Sequence, residues 1–153
     1  MGKGSDKMDP YAKGLINKSP YGEKRIIKSL VVAILQLEMT ERGLNLIPQK
    51  SRVAKKNEIH ELMITDEKEA NPGSVVNRVS YIAFIEIYQG GVIVVGDEVY
   101  WKNNLLGIIA GFDDTHIPNH QNIVLYSPKR ITGTDLNINL EDPIIIKAQK
   151  GKD

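Results

Sequence analysis

Between two apolar, strand-like segments lies Asp113-Asp114-Thr115-His116-Ile117-Pro118-Asn119-His120-Gln121-Asn122, the densest polar run of the chain. It holds two of the three histidines, four residues apart, directly after two carboxylates. Imidazole nitrogen with carboxylate oxygen suits zinc or another first-row divalent metal, and an open coordination position would make such a site catalytic. His116, His120 and Asp114 are therefore the candidate metal ligands. A neutral imidazole is also a general base that a carboxylate can orient, which makes His116, His120 and Asp113 the candidate catalytic set. The spacing His-x-x-x-His places both rings on one face only in a helix, and Pro118 between them opposes a regular helix. The structural alternative is a long connection whose Asp, Thr and Asn side chains close turns onto their own backbone.

Other polar residues fall in apolar surroundings. His60-Glu61 sits in the strand-like segment 58–65, where neighbours point to opposite faces, so His60 is either a third histidine for the site or a satisfied core or surface residue. Glu86 interrupts the apolar run 79–88; it faces solvent, or else it is buried and paired. Asn71, Asn77 and Arg78 flank the acidic loop 66–73, within reach of a ligand, although Asn71-Pro72-Gly73 is also a strong turn sequence.

Several chemistries are excluded. No cysteine is present, which removes disulfides, thiol nucleophiles and thiolate zinc sites, and fits a reducing, cytoplasmic location. Gly90-Gly91 and Gly96-Asp97 lack the spacing and the following helix of a phosphate loop, and no Gly-x-Ser-x-Gly elbow occurs. With 20 basic and 19 acidic residues the net charge is +1, so no global field favours nucleic acid, and the aromatic-plus-basic sheet of an RNA binder is missing. The longest apolar stretch, residues 30–35, is far shorter than a membrane helix, and residues 1–22 lack the apolar core of a signal peptide.

The elements that must position these residues read as strands. Residues 26–39 fit a helix face or a strand, and the paired Val and Ile-rich run favour the strand. Further strands are expected at 58–65, 79–88, 92–95, 99–101, 105–112, 122–126, 136–140 and 144–148, with a short edge segment at 44–47. The run 79–88 is apolar on both sides and so reads as central. The reading is a single all-β domain: a compact antiparallel barrel of about six to eight strands over 26–148, an N-terminal arm over 1–25 and a charged tail over 149–153.

The passage Gly91-Val92-Ile93-Val94-Val95-Gly96-Asp97-Glu98-Val99, continued by Leu106-Gly107-Ile108-Ile109-Ala110-Gly111, resembles the small β-barrel of the sugar-alcohol (glucitol/sorbitol) IIA component of the phosphotransferase system. That component is phosphorylated on a histidine just upstream; residues 81–89 have none, so the resemblance implies a barrel and no phosphocarrier chemistry. The run Phe112 to Ile123 is similar to the signature of an uncharacterised prokaryotic family with no established activity.

Two function classes follow. One is small-ligand or metal binding, with or without catalysis, at the polar loop around His116 and His120. The other is a non-enzymatic interaction module that forms a homo-oligomer through a sheet edge, an assembly also favoured by the apolar outer side of 79–88. Neither involves nucleic acid or a membrane.

Overall fold

The structure, a computed structural model, describes residues 21–149. Most of the expected arm, residues 1–20, and the tail from 150 onward lie outside the described residues. The strands are β1 (Ile27–Ile34), β2 (Glu38–Met39), β3 (Leu44–Asn45), β4 (Ser51–Ala54), β5 (Ile59–Thr65) and β6 (Val75–Val76). They continue with β7 (Val79–Gln89), β8 (Gly91–Val94), β9 (Glu98–Trp101), β10 (Asn104–Asp113), β11 (Gln121–Tyr126) and β12 (Pro143–Lys147), and the one-turn helix α1 (Gly133–Leu136) precedes β12. No helix among the described residues is long and apolar enough to cross a membrane.

Seven strands close a barrel in the order β1-β12-β9-β10-β11-β5-β7, with β7 pairing back onto β1. β2 carries the line of β1 further along β7, and β3–β6 and β4–β8 form small two-stranded sheets. The all-β barrel expected from the alternation is present, but it is mixed rather than wholly antiparallel. An odd number of strands cannot alternate direction all the way round a closed ring, so one pair must run parallel. That pair is β5 and β11, in register from His60 beside Gln121 to Thr65 beside Tyr126.

The ambiguous segment 26–39 is a strand over Ile27–Ile34, and its buried side is Ile27, Ser29 and Val31. Ser29 is tolerated inside because its hydroxyl donates to the Ile144 carbonyl at 2.8 Å. The strand expected at 136–140 does not form. Thr132 accepts a hydrogen bond from the Asp135 backbone N–H and starts α1, and Asn137 ends it with φ of 63°. A capping side chain here outcompetes a weak apolar alternation.

β7 is central, as its two apolar sides imply, and a bulge decides which residues face which way. Leu62 pairs with Ala83 but Met63 pairs with Tyr81, so Ile82 is extra. Ile82 and Ala83 therefore both enter the barrel core with Ile85 and Ile87, while Tyr81 turns outward with Met63. The outward set, Met63, Val79, Tyr81 and Val124, is covered by Leu44, Leu46 and Val76 of the β3–β6 flap. Fully burying a side chain such as Leu44 or Val76 contributes on the order of 1.5–3 kcal/mol, so the flap is part of the fold. The flap thus covers the Val79–Tyr81 end of the outer side of β7, while Tyr88 at the other end is 44% exposed.

Candidate functional site

Parallel pairing sets the beginnings of β5 and β11 side by side at one end of the barrel. Alternation along β5 sends His60, Leu62 and Ile64 inward and Glu61 and Met63 outward. Glu61 therefore lies on the outer side, next to Asn122 on β11 and Phe84 on β7.

The connection 114–120 folds back over these residues. The Ile117 N–H donates to the Asp114 carbonyl at 3.1 Å, and the N–H groups of Asn119 and His120 both donate to the His116 carbonyl, at 2.7 and 3.3 Å. Residues 116–120 thus make one isolated turn, with the Ile117–Pro118 peptide cis. This turn does what a helix would have done for the histidine pair: the rings of His116 and His120 stack with centroids 5.0 Å apart and planes 28° apart.

The His120 ring is held on three sides. Its edge meets Phe84 at 5.0 Å and 83°, its Nε2 lies 3.0 Å from Glu61 Oε1, and its Nδ1 lies 3.0 Å from Asn119 Nδ2. The side chains of Glu61 and His120 are each 10% exposed, whereas His116 stands at the surface. One ligand atom from each of Glu61, His116 and His120 lies within 4.8 Å of the others. Zinc ligands sit about 2.0–2.2 Å from the ion, which sets how closely such a trio has to approach to hold one metal.

The two aspartates are engaged elsewhere. Asp113, 1% exposed, accepts from the Thr115 hydroxyl at 2.7 Å, the Thr115 N–H at 3.2 Å and Asn122 Nδ2 at 2.9 Å. Asp114 accepts from Gln121 Nε2 at 2.7 Å and faces the Arg52 guanidinium at 3.6 Å. Both carboxylates brace the turn that presents the histidines. His60 points away from the cluster; its Nε2 lies 3.1 Å from Glu58 Oε1 and its buried Nδ1 has no partner. Burial pushes the His60 pKa below its ordinary value against the opposing pull of Glu58.

Remaining polar residues do not reach the cluster. Arg78 Nε donates to Asp66 at 2.8 Å, Asn77 Oδ1 accepts from the Gly43 N–H, and Asn71 closes a turn with Ser74. Glu86 is half-buried on the outer side of β7. The carboxylate that sequence reasoning missed is Glu61. The available signal was the one applied to Glu86, a carboxylate inside an apolar strand, but its partner lies 59 residues away, in the connection just before β11.

The model of a family described as Family of unknown function (DUF6917) matches residues 21–147. No curated protein and no solved structure matches the chain.

Proposed function

The chain belongs to this family of unknown function, and from the geometry of the site we propose that it binds a first-row divalent metal ion, zinc by ligand type, through His116, His120 and Glu61. The observation that carries this reading is the convergence within 4.8 Å of two imidazoles from the 114–120 connection and one carboxylate from β5. Three protein ligands leave a coordination position open for water or an oxygen of a small ligand, where the metal acts as a Lewis acid. The surroundings suit a ligand histidine: Phe84 fixes the His120 ring from one edge, and Asn119 sits on its second nitrogen. With the metal on Nε2, Nδ1 carries the proton and the Asn119 amide turns its oxygen to accept it. Asp113 and Asp114 hold the turn rather than the ion.

The alternative, a module that self-associates through a sheet edge, has less to draw on. Barrel closure removes the long edges, and the β3–β6 flap covers the Val79–Tyr81 end of the outer side of β7.

Titration of chelator-treated protein with zinc tests the metal reading. One equivalent should bind, with binding lost or strongly weakened in His116→Ala, His120→Ala and Glu61→Gln and retained in His60→Gln. Absence of binding, or undiminished binding in the first three variants, overturns it.

A further inference from the structure

Beside His120 the same end of the barrel opens into a groove of about 260 Å³. It lies between β4, the start of β5 and the turn 117–121. Three large apolar side chains that the fold leaves in water, Val53, Ile59 and Ile117, at 70%, 44% and 48% exposure, converge on it. Scattered exposed apolar residues need no explanation, but several facing one concavity do. Arg52 lines the same groove; the partner of its guanidinium among the described residues is Asp114 at 3.6 Å, beyond hydrogen-bond distance. The acids nearby are already engaged. Glu58 Oε1 accepts from the Lys55 backbone N–H at 2.9 Å and meets His60 Nε2 at 3.1 Å, and Asp114 Oδ1 accepts from Gln121. His60, whose side chain is 8% exposed, also lines the groove, and its Nδ1 has no partner.

We infer that this groove binds a small organic carboxylate with a branched apolar body, the carboxylate on Arg52 and the body against Val53, Ile59 and Ile117. The planar guanidinium offers paired N–H donors that match a carboxylate, and the apolar walls supply the area that makes a small ligand bind at all. The groove shares His120 with the metal cluster. The inference deepens the metal reading, but its recognition elements are separate from the three ligands.

Methyl NMR of the full chain, stripped of metal, with 4-methylpentanoate as the probe, tests it. The Val53, Ile59 and Ile117 methyl signals should shift saturably, and 4-methylpentan-1-ol, which has the same body and no charge, should leave them nearly unmoved. Arg52→Gln should weaken binding at least about tenfold, the effect of losing a charge-assisted hydrogen bond. Val53→Asp, at a position 70% exposed on β4, should abolish it by repulsion while the methyl spectrum in the absence of the probe stays that of the folded chain. No saturable shift with the carboxylate, equal shifts with the alcohol, or unchanged affinity in Arg52→Gln would each overturn the inference. Zinc titration of Arg52→Gln, which keeps all three proposed metal ligands, separates failure of the groove from failure of the metal centre.

Discussion

Glu61 and His120, 59 residues apart, meet on the outer side of the barrel with Oε1 3.0 Å from Nε2. The contact exists because β5 and β11 start at the same end and run in step, so the residue just before β11 stands over the third residue of β5. Had the two strands been antiparallel, Glu61 would have faced the far end of β11.

Glu61→Gln tests this pairing most cleanly. The amide keeps the shape and offers an oxygen to His120, so unfolding in urea should change by less than about 1 kcal/mol. Zinc affinity should fall by at least the roughly 10–100-fold that even an outer-shell loss costs a metal site. A large stability loss with intact zinc binding would make Glu61 a structural residue.

His60 gives a pH dependence whose sign is set by burial. Its pKa is lowered from 6.5, so the folded chain resists a proton that the unfolded chain accepts. Its contribution to stability is complete above the unfolded value and is lost as pH falls from there through the lower folded value. The thermal midpoint should therefore drop between about pH 7 and pH 5, and His60→Gln should flatten that part of the profile. An unchanged profile would assign the drop to other groups.

Asp113 and Asp114 should separate sharply on truncation. Asp113→Ala strands the fully buried Asn122 amide and frees the Thr115 hydroxyl and N–H, at a cost of about 2–3 kcal/mol by urea denaturation. Asp114→Ala removes one side-chain hydrogen bond and a long, half-exposed ion pair, at a cost of about 1 kcal/mol or less. Equal losses would show that the turn is braced differently.

Lys24 and Asp97 form an ion pair at 2.7 Å with side chains 9% and 5% exposed, and Asp97 also accepts from the Val94 N–H at 2.9 Å. Lys24→Met leaves a buried carboxylate without its cation and should cost about 3–5 kcal/mol, read as a lowered denaturation midpoint. A change within about 0.5 kcal/mol would mean that water replaces the lysine.

Gly133→Ala should be among the most damaging single-methyl changes. A Cβ there would collide with the Ile82 carbonyl oxygen and come 3.2 Å from that of Leu35, both backbone atoms that cannot swing aside. A loss of more than about 2 kcal/mol is expected, and near-wild-type melting would show that α1 can shift off β7.

Alternation, β-branched runs and turn residues are local properties, and they determined the class of the fold. Val79 to Tyr88 reads as a central strand because both its sides are apolar, and Lys102-Asn103-Asn104 reads as a hairpin connection because it separates two such runs. The same logic placed His116 and His120 together in one polar connection. Strand β4, for which no expectation was drawn, and the capping by Thr132 were less legible, since a four-residue strand carries little pattern and a single side-chain hydrogen bond can override one.

Strand direction and registry belong to the tertiary structure alone. An outward or inward side chain looks the same in sequence whether its neighbour runs parallel or antiparallel, so nothing local to residues 58–65 says that Glu61 meets His120 rather than solvent. Closure of seven strands requires one parallel pair, and the chain makes it at β5 and β11. The bulge at Ile82 then keeps Phe84 opposite Glu61 while Tyr81 joins the outer flap. The histidine pair was readable because its two members are four residues apart and one hydrogen-bonded turn unites them. The carboxylate that completes the cluster was not, because its distance from His120 is set by the closing of the barrel and not by any spacing along the chain.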